Sequence, residues 1–163
     1  MKTAGATTIR VADETWIATA LLHREQPDRE DFTVQEIIQR ARLENLTGEL
    51  RPGVGVHASW HCVANRPPKP ATLRMLYATG KSTRRLYREG DDADPKRHGR
   101  ITPEREALPP KYRYLLDWYQ KEFASGGPDS WLRGIRELAG MGREIFKGVD
   151  PDEYVRQLRE GWA

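Results

Sequence analysis

Apolar residues recur at helical spacing in two stretches of the first fifty residues. Trp16, Ile17, Ala20 and Leu21 place one stripe on a helix over about residues 12–25. Asp13 is in reach to cap it, and Pro27 with the charged run Asp28–Asp31 ends it. The second helix announces itself by Thr33-Val34-Gln35-Glu36, a capping box in which hydroxyl and carboxylate satisfy orphan amides. Val34, Ile37, Ile38 and Ala41 form its apolar stripe, and Asn45 and Gly48 stop it. A third helix follows Arg51-Pro52-Gly53 and runs to Asn65. At 100° per residue Val56, Ser59, Trp60 and Val63 share one face, with Trp60 read as core in preference to a base-stacking platform, while His57, His61 and Asn65 line another beside Ala58. Arg66-Pro67-Pro68-Lys69-Pro70 then forbids continuation.

The pattern next changes period. Leu73–Thr79 and Thr83–Arg88 are β-prone and flank the turn Gly80-Lys81-Ser82, which predicts a hairpin. Residues 89–108 show no strong period, and Gly90–Gly99 is read as an exposed or mobile polar loop. Pro109-Pro110 opens a helix to about residue 124 with Tyr112, Leu115, Leu116, Tyr119 and Phe123 on one stripe. Tyr114 and Trp118 widen that arc, so the helix either packs on the domain or supplies a dimer contact. The reading is mainly α with a small β-hairpin: a flexible N-terminus over 1–8, a domain over 9–124, a linker over 125–128 and a helical tail over 129–163. In the tail Trp131, Leu132, Ile135 and Leu138 recur at helical spacing, as do Tyr154, Val155, Leu158 and Trp162 behind an Asp150-Pro151 start. Thirty-five residues without a disulfide or metal rarely fold alone, so the tail is expected to dock on something.

Charge changes this picture more than composition does. The net charge of +3 divides along the chain into −3 over residues 1–50, +8 over 51–88 and −2 over 89–163. The middle window holds Arg51, Arg66, Lys69, Arg74, Lys81, Arg84, Arg85 and Arg88 and no Asp or Glu in 38 residues. A one-signed surface suits a polyanion, because each phosphate contact releases counterions. Arginine outnumbers lysine 20 to 7, which favours planar, bidentate contacts.

Helix, helix, helix, basic hairpin: residues 9–90 resemble a winged-helix DNA-binding domain, a winged helix-turn-helix. The resemblance implies that Val56–Asn65 enters the major groove and that Arg74–Arg88 forms the wing. The DNA-contacting set it implies is His57, Ala58, His61, Asn65, Arg66, Lys69, Arg74, Lys81, Arg84, Arg85 and Arg88. Asn65 either pairs with adenine or caps its helix; Arg66, Lys69 and Arg74 suit phosphates.

Leu138–Trp162, with its glycine pair Gly140-Met141-Gly142, the Phe146-Lys147-Gly148 turn and the Asp150-Pro151-Asp152-Glu153-Tyr154 start, resembles the C-terminal segment of VapB-type antitoxins. In those proteins this segment wraps a PIN-domain ribonuclease toxin. The resemblance makes Trp131, Leu132, Ile135, Leu138, Arg143, Phe146, Lys147, Tyr154, Val155, Leu158 and Trp162 the partner-binding set, with Arg143 and Lys147 as candidates for the toxin's acidic site. The sequence thus leads to a bacterial DNA-binding transcription regulator, cytoplasmic and homodimeric, with double-stranded DNA as partner. Its sharpest form is the antitoxin of a toxin–antitoxin pair. The alternative is a winged-helix protein- or RNA-interaction module serving a nucleic-acid-processing system. No stretch has the roughly 20 apolar residues a membrane span requires. The lone Cys62 excludes an internal disulfide and any multi-cysteine zinc framework. His57 and His61 lack a third ligand at a recognisable spacing. With no phosphate loop or nucleophile–base signature either, neither a cofactor nor an enzymatic activity is expected.

Overall fold

A computed structural model describes residues 8–125 of the chain, and the tail positions named above lie outside the described residues. The chain divides into two units, Met1–Ser125 and Gly126–Ala163, and the described residues belong to the first.

Four helices and a small antiparallel sheet make an α+β arrangement among the described residues. In chain order they are α1 (Val11–Glu25), β1 (Phe32–Thr33), α2 (Val34–Glu44), α3 (Gly53–Val56), β2 (Leu76–Ala78), β3 (Thr83–Leu86) and α4 (Tyr114–Trp118). Helices α3 and α4 each continue into a π-helical turn, His57–His61 and Tyr119–Phe123. The strand order is β1-β3-β2. Among the described residues no helix is long and apolar enough to cross a membrane.

Helix α1 is the hub, buried from Ala12 to His23. Four of its polar residues have local or distant partners, while the Trp16 indole N–H and Asp13 Oδ2 are buried without a hydrogen bond. Thr15 and Thr19 donate to the carbonyls of Val11 and Thr15 at 2.8 and 2.9 Å. Asp13 does not cap the helix; it lies inside the first turn and pairs with Arg100 at 2.8 Å. Glu14 receives Arg51 Nε at 2.8 Å. Both carboxylates sit where the helix dipole favours negative charge. Trp16 packs edge-on to Tyr119 at 5.9 Å, and Tyr112, Leu115, Leu116, Tyr119 and Phe123 are buried together. The predicted stripe of the fourth helix therefore faces this core, although the segment is divided into a 3₁₀ turn (Pro110–Tyr112), α4 and the π turn.

Helix α2 begins where its sequence says. Glu36 N–H donates to the Thr33 hydroxyl at 3.1 Å and Thr33 N–H to the Glu36 carboxylate at 2.8 Å. Asn45 closes it in the left-handed region, φ 53°. Two glycines let α3 press against its neighbours: a Cβ at Gly53 would stand 3.0 Å from Val11, and one at Gly55 would stand 3.2 Å from Ile38.

Three expectations are refined. The third helix stops at His61, not Asn65, because the chain turns there to meet β2. Ala64 N–H donates to the Leu76 carbonyl at 2.8 Å, and the Asn65 amide both donates to and accepts from the Ala78 backbone at 2.9 Å. The loop over Gly90–Gly99 exposes Gly90, Asp92, Pro95, Lys96 and His98 but is also anchored at its end: Gly99 N–H reaches Thr72 O at 2.8 Å and Arg74 N–H reaches Arg100 O at 3.1 Å. A Cβ at Gly99 would stand 2.6 Å from the Thr72 oxygen, so only glycine fits that crossing. The hairpin strands are shorter than predicted, with Leu76↔Leu86, Tyr77↔Arg85 and Ala78↔Arg84 in register, and β3 also pairs with β1.

His23 closes the sheet edge onto α1 by accepting the Leu86 amide on Nε2 at 3.2 Å. Burial, then the nearby Arg88 and Arg85, pull its pKa down to about 3. A histidine neutral in the fold and titrating near 6.5 when unfolded contributes stability above 6.5 that is lost as pH falls toward 3. Each unit of pH in that interval removes about 1.4 kcal/mol through this group. Urea midpoints measured from pH 7.5 to 4.5 should fall below pH 6.5. His57, also lowered by burial, adds to the slope, so the His23 share is the part that His23→Gln abolishes.

Candidate nucleic-acid interface

The sequence assigns contact to the third helix and the hairpin, and both belong to one structural face. Its basic residues fall into two groups that the sequence alone does not separate. One group holds the face together; the other is open to solvent.

Helix α3 with its π turn ends on carbonyls that have few helical partners. Arginines from three later segments take them. Arg84 Nε donates to Ala58 O at 3.0 Å and Arg66 Nη1 to Ser59 O at 3.3 Å. Arg97 reaches Trp60 O at 2.7 Å and His61 O at 2.9 Å through its two Nη atoms. The same three guanidiniums also grip the loops. Arg84 Nη1 donates to Gly80 O at 3.2 Å and Thr83 O at 2.7 Å in the hairpin turn. Arg66 Nη2 donates to Lys81 O at 3.1 Å. Arg97 adds Arg66 O at 2.6 Å and Leu73 O at 2.7 Å. Positive charge at a helix C-terminus is favourable, and charge-assisted bonds to carbonyls are among the stronger ones.

Burial matches this role. Arg84 is 1% exposed and Arg97 is 4% exposed. Burial, then the neighbouring Arg66, lowers the Arg84 pKa to about 10, which leaves it a cation at neutral pH. Across the sheet Arg84 stands between Ala78 on β2 and Phe32 on β1. Arg85 is buried too; it holds Asp91 by two bonds of 2.7 and 2.8 Å and lies over the Tyr77 ring at 4.4 Å. Burial pushes the Asp91 carboxyl up, but the Arg85 bonds and the Arg88 amide outweigh it and leave the pKa below its ordinary value. Arg88 Nε donates to Phe123 O at 3.1 Å, with the guanidinium over the Phe123 ring. Arg74 Nε donates to Gly99 O at 3.0 Å.

The residues of the predicted contact set divide accordingly. Ala58, Arg84 and Arg85 are buried and present no side chain outward in this structure. Asn65 is engaged by both amide atoms on β2 and lies beyond the helix. Lys69 and Lys81 are exposed, and the half-buried Arg66 is bonded to the Lys81 carbonyl. His57 is half-buried, shares a 3.4 Å contact between Nδ1 and the Cys62 sulfur, and has its pKa lowered to about 4 by burial and by His61 and Arg51. The His57 and His61 rings meet edge to face at 4.8 Å. Cys62 is buried, and burial pushes its thiol up to about 12, so it stays protonated. Among the described residues no group of three or more His, Cys, Asp or Glu is placed to hold a metal.

Two participants escape the sequence reading. Trp60, read as core, is 46% exposed with the Arg66 guanidinium 4.9 Å from its ring centroid. Val56, one turn earlier, is exposed to the same degree. Arg97 sits in a segment read as loop, where no periodicity marks a buried side chain. Comparison with protein-family models, with curated proteins and with solved structures yields no match to this chain.

Removing the Arg97 side chain would leave its carbonyl partners at the α3 terminus without their donor, which costs on the order of 3 kcal/mol. Arg97→Ala should lower the urea-unfolding free energy by that amount, and Arg97→Lys should recover less than half, since an ammonium cannot span the fork. Lys81→Ala, at an exposed tip, should stay within about 0.5 kcal/mol of the parent.

Proposed function

We propose that residues 9–124 act as a winged-helix-type module that binds double-stranded DNA, with the C-terminal half of α3 and the β2–β3 turn as the contacting face, in a bacterial transcription regulator. One observation carries the reading. Arg66 and Arg84 tie the end of α3 to the hairpin turn, and neither element nor the chain between them contains a carboxylate. These elements themselves bring only positive charge toward a polyanion, with Asp31 on the Thr79 hydroxyl as a carboxylate beside the turn. The element order helix, short strand, helix, helix, hairpin is also that of the winged-helix resemblance.

The residues that meet phosphate are then Lys69, Lys81 and Arg66, while Arg84, Arg85 and Arg97 shape the face from inside. The docking of a PIN-domain toxin by residues 129–163, and with it the antitoxin role, rests on the tail's sequence resemblance. A second reading, an interaction module for protein or RNA, is supported by Val56 and Trp60, which expose apolar surface on this face.

Binding to duplex DNA should weaken steeply as salt rises, and Lys69→Ala and Lys81→Ala should each lower the slope of log K against log salt by about 1 without changing the unfolding free energy. Arg84→Ala should show its effect in unfolding first. Absence of any duplex binding at low salt, by anisotropy of a labelled duplex, overturns the DNA reading and favours the second.

A further inference from the structure

An indole left nearly half open to water forfeits hydrophobic stabilisation that folding would otherwise gain. Trp60 is in that state on a basic face, with its backbone bonded and a guanidinium beside its ring. Its own carbonyl accepts Arg97 Nη2 at 2.7 Å. The guanidinium beside its ring is fixed at both ends, on Ser59 O at 3.3 Å and Lys81 O at 3.1 Å. The Arg66 cation thus links the ring to the hairpin turn through the Lys81 carbonyl, while the Lys81 side chain itself is exposed beside them. Two carboxylates of adjoining segments stand beside this face, each with a local partner: Asp31 accepts the Thr79 hydroxyl at 2.7 Å next to the hairpin turn, and Asp94 accepts the Lys96 amide at 2.9 Å.

A paired base shows a groove only its edge, and an indole has a single N–H with which to read it. An unpaired base shows its face, which is what an exposed aromatic ring recognises. Protein interfaces are depleted in lysine, whereas a phosphate beside the base suits both Lys81 and Arg66. We propose that Trp60 is a stacking platform for an unpaired nucleobase, with Arg66 and Lys81 holding the adjoining phosphates. The face then prefers DNA with an exposed base, such as a bulge or a single-stranded stretch, to fully paired DNA. This rests on the reading that the face binds DNA and adds to it the feature recognised.

The test uses the full chain and three fluorescently labelled DNAs: a duplex closed at both ends by loops of abasic linker, the same duplex with one bulged base, and a duplex whose bulge is abasic. The parent protein should bind the base bulge about tenfold more tightly than the closed duplex or the abasic bulge. Trp60→Ala should erase that ratio and Trp60→Phe should keep most of it, both with urea midpoints like the parent's. Lys81→Ala should weaken all three DNAs together. Equal binding of the three DNAs by the parent, or a ratio that survives Trp60→Ala, overturns the stacking role while leaving the DNA reading in place. Failure to bind any of them overturns both.

Discussion

Four successive carbonyl oxygens at the end of the third helix, from Ala58 to His61, each accept a hydrogen bond from an arginine outside it. The rest of the face depends on these bonds. A helix that ends without a glycine C-cap leaves acceptors that must find donors, and here the donors are guanidiniums arriving from the proline-rich turn, from β3 and from the 89–104 segment. Each guanidinium has more N–H groups than the helix end can take, so each reaches on to a second loop. The helix terminus, the hairpin turn and the following segment thereby become one rigid body, even though the strands between them are only three and four residues long. The sheet could not do this alone, because so few ladder bonds leave a hairpin marginal in water.

This use of arginine changes what the acid-free window means. In the sequence, eight basic residues with no carboxylate suggest a surface kept open for a polyanion. In the fold, the absence of acid has a second consequence. A nearby Asp or Glu would compete with the backbone carbonyls for the guanidiniums and draw them away from the helix end. Where a carboxylate does serve an arginine of the window it comes from outside it: Glu14 for Arg51 and Asp91 for Arg85. The same pattern thus encodes an internal clamp and an external field, and only burial divides the residues between them.

That division explains what was legible. Helices α1 and α2 and the hairpin turn could be located because their signals are local: an apolar period, a capping box, a Gly-Lys-Ser turn. The buried stripe of α4 was legible for the same reason. Strand β1 was not, since two residues carry no period. The end of α3 was misplaced because Asn65 reads equally well as a helix position and as a partner for the Ala78 backbone 13 residues on. Arg97 was invisible because a buried arginine in a loop is defined by acceptors 24 to 37 residues away. Trp60 was assigned inward by the general tendency of tryptophan, and the helix turned its face outward instead. Polar residues betray their role through partners, and partners are set by topology rather than by neighbours in sequence.

The redistribution also bears on how such a face would bind. If all eight basic residues of the window met phosphate, attraction would be diffuse and would dominate recognition. With Arg84 and Arg85 buried, and Arg66 anchored at both ends, few mobile charges remain. Field strength falls, but orientation is gained, since the anchored groups keep fixed positions before any ligand arrives. Binding energy from a preorganised face is not reduced by ordering its side chains. A ring beside a fixed cation is the kind of feature that benefits most, because stacking depends on orientation whereas attraction between charges depends mainly on distance. The arginines turned inward therefore do not subtract from a binding role for this face; they exchange long-range attraction for a defined geometry around Trp60.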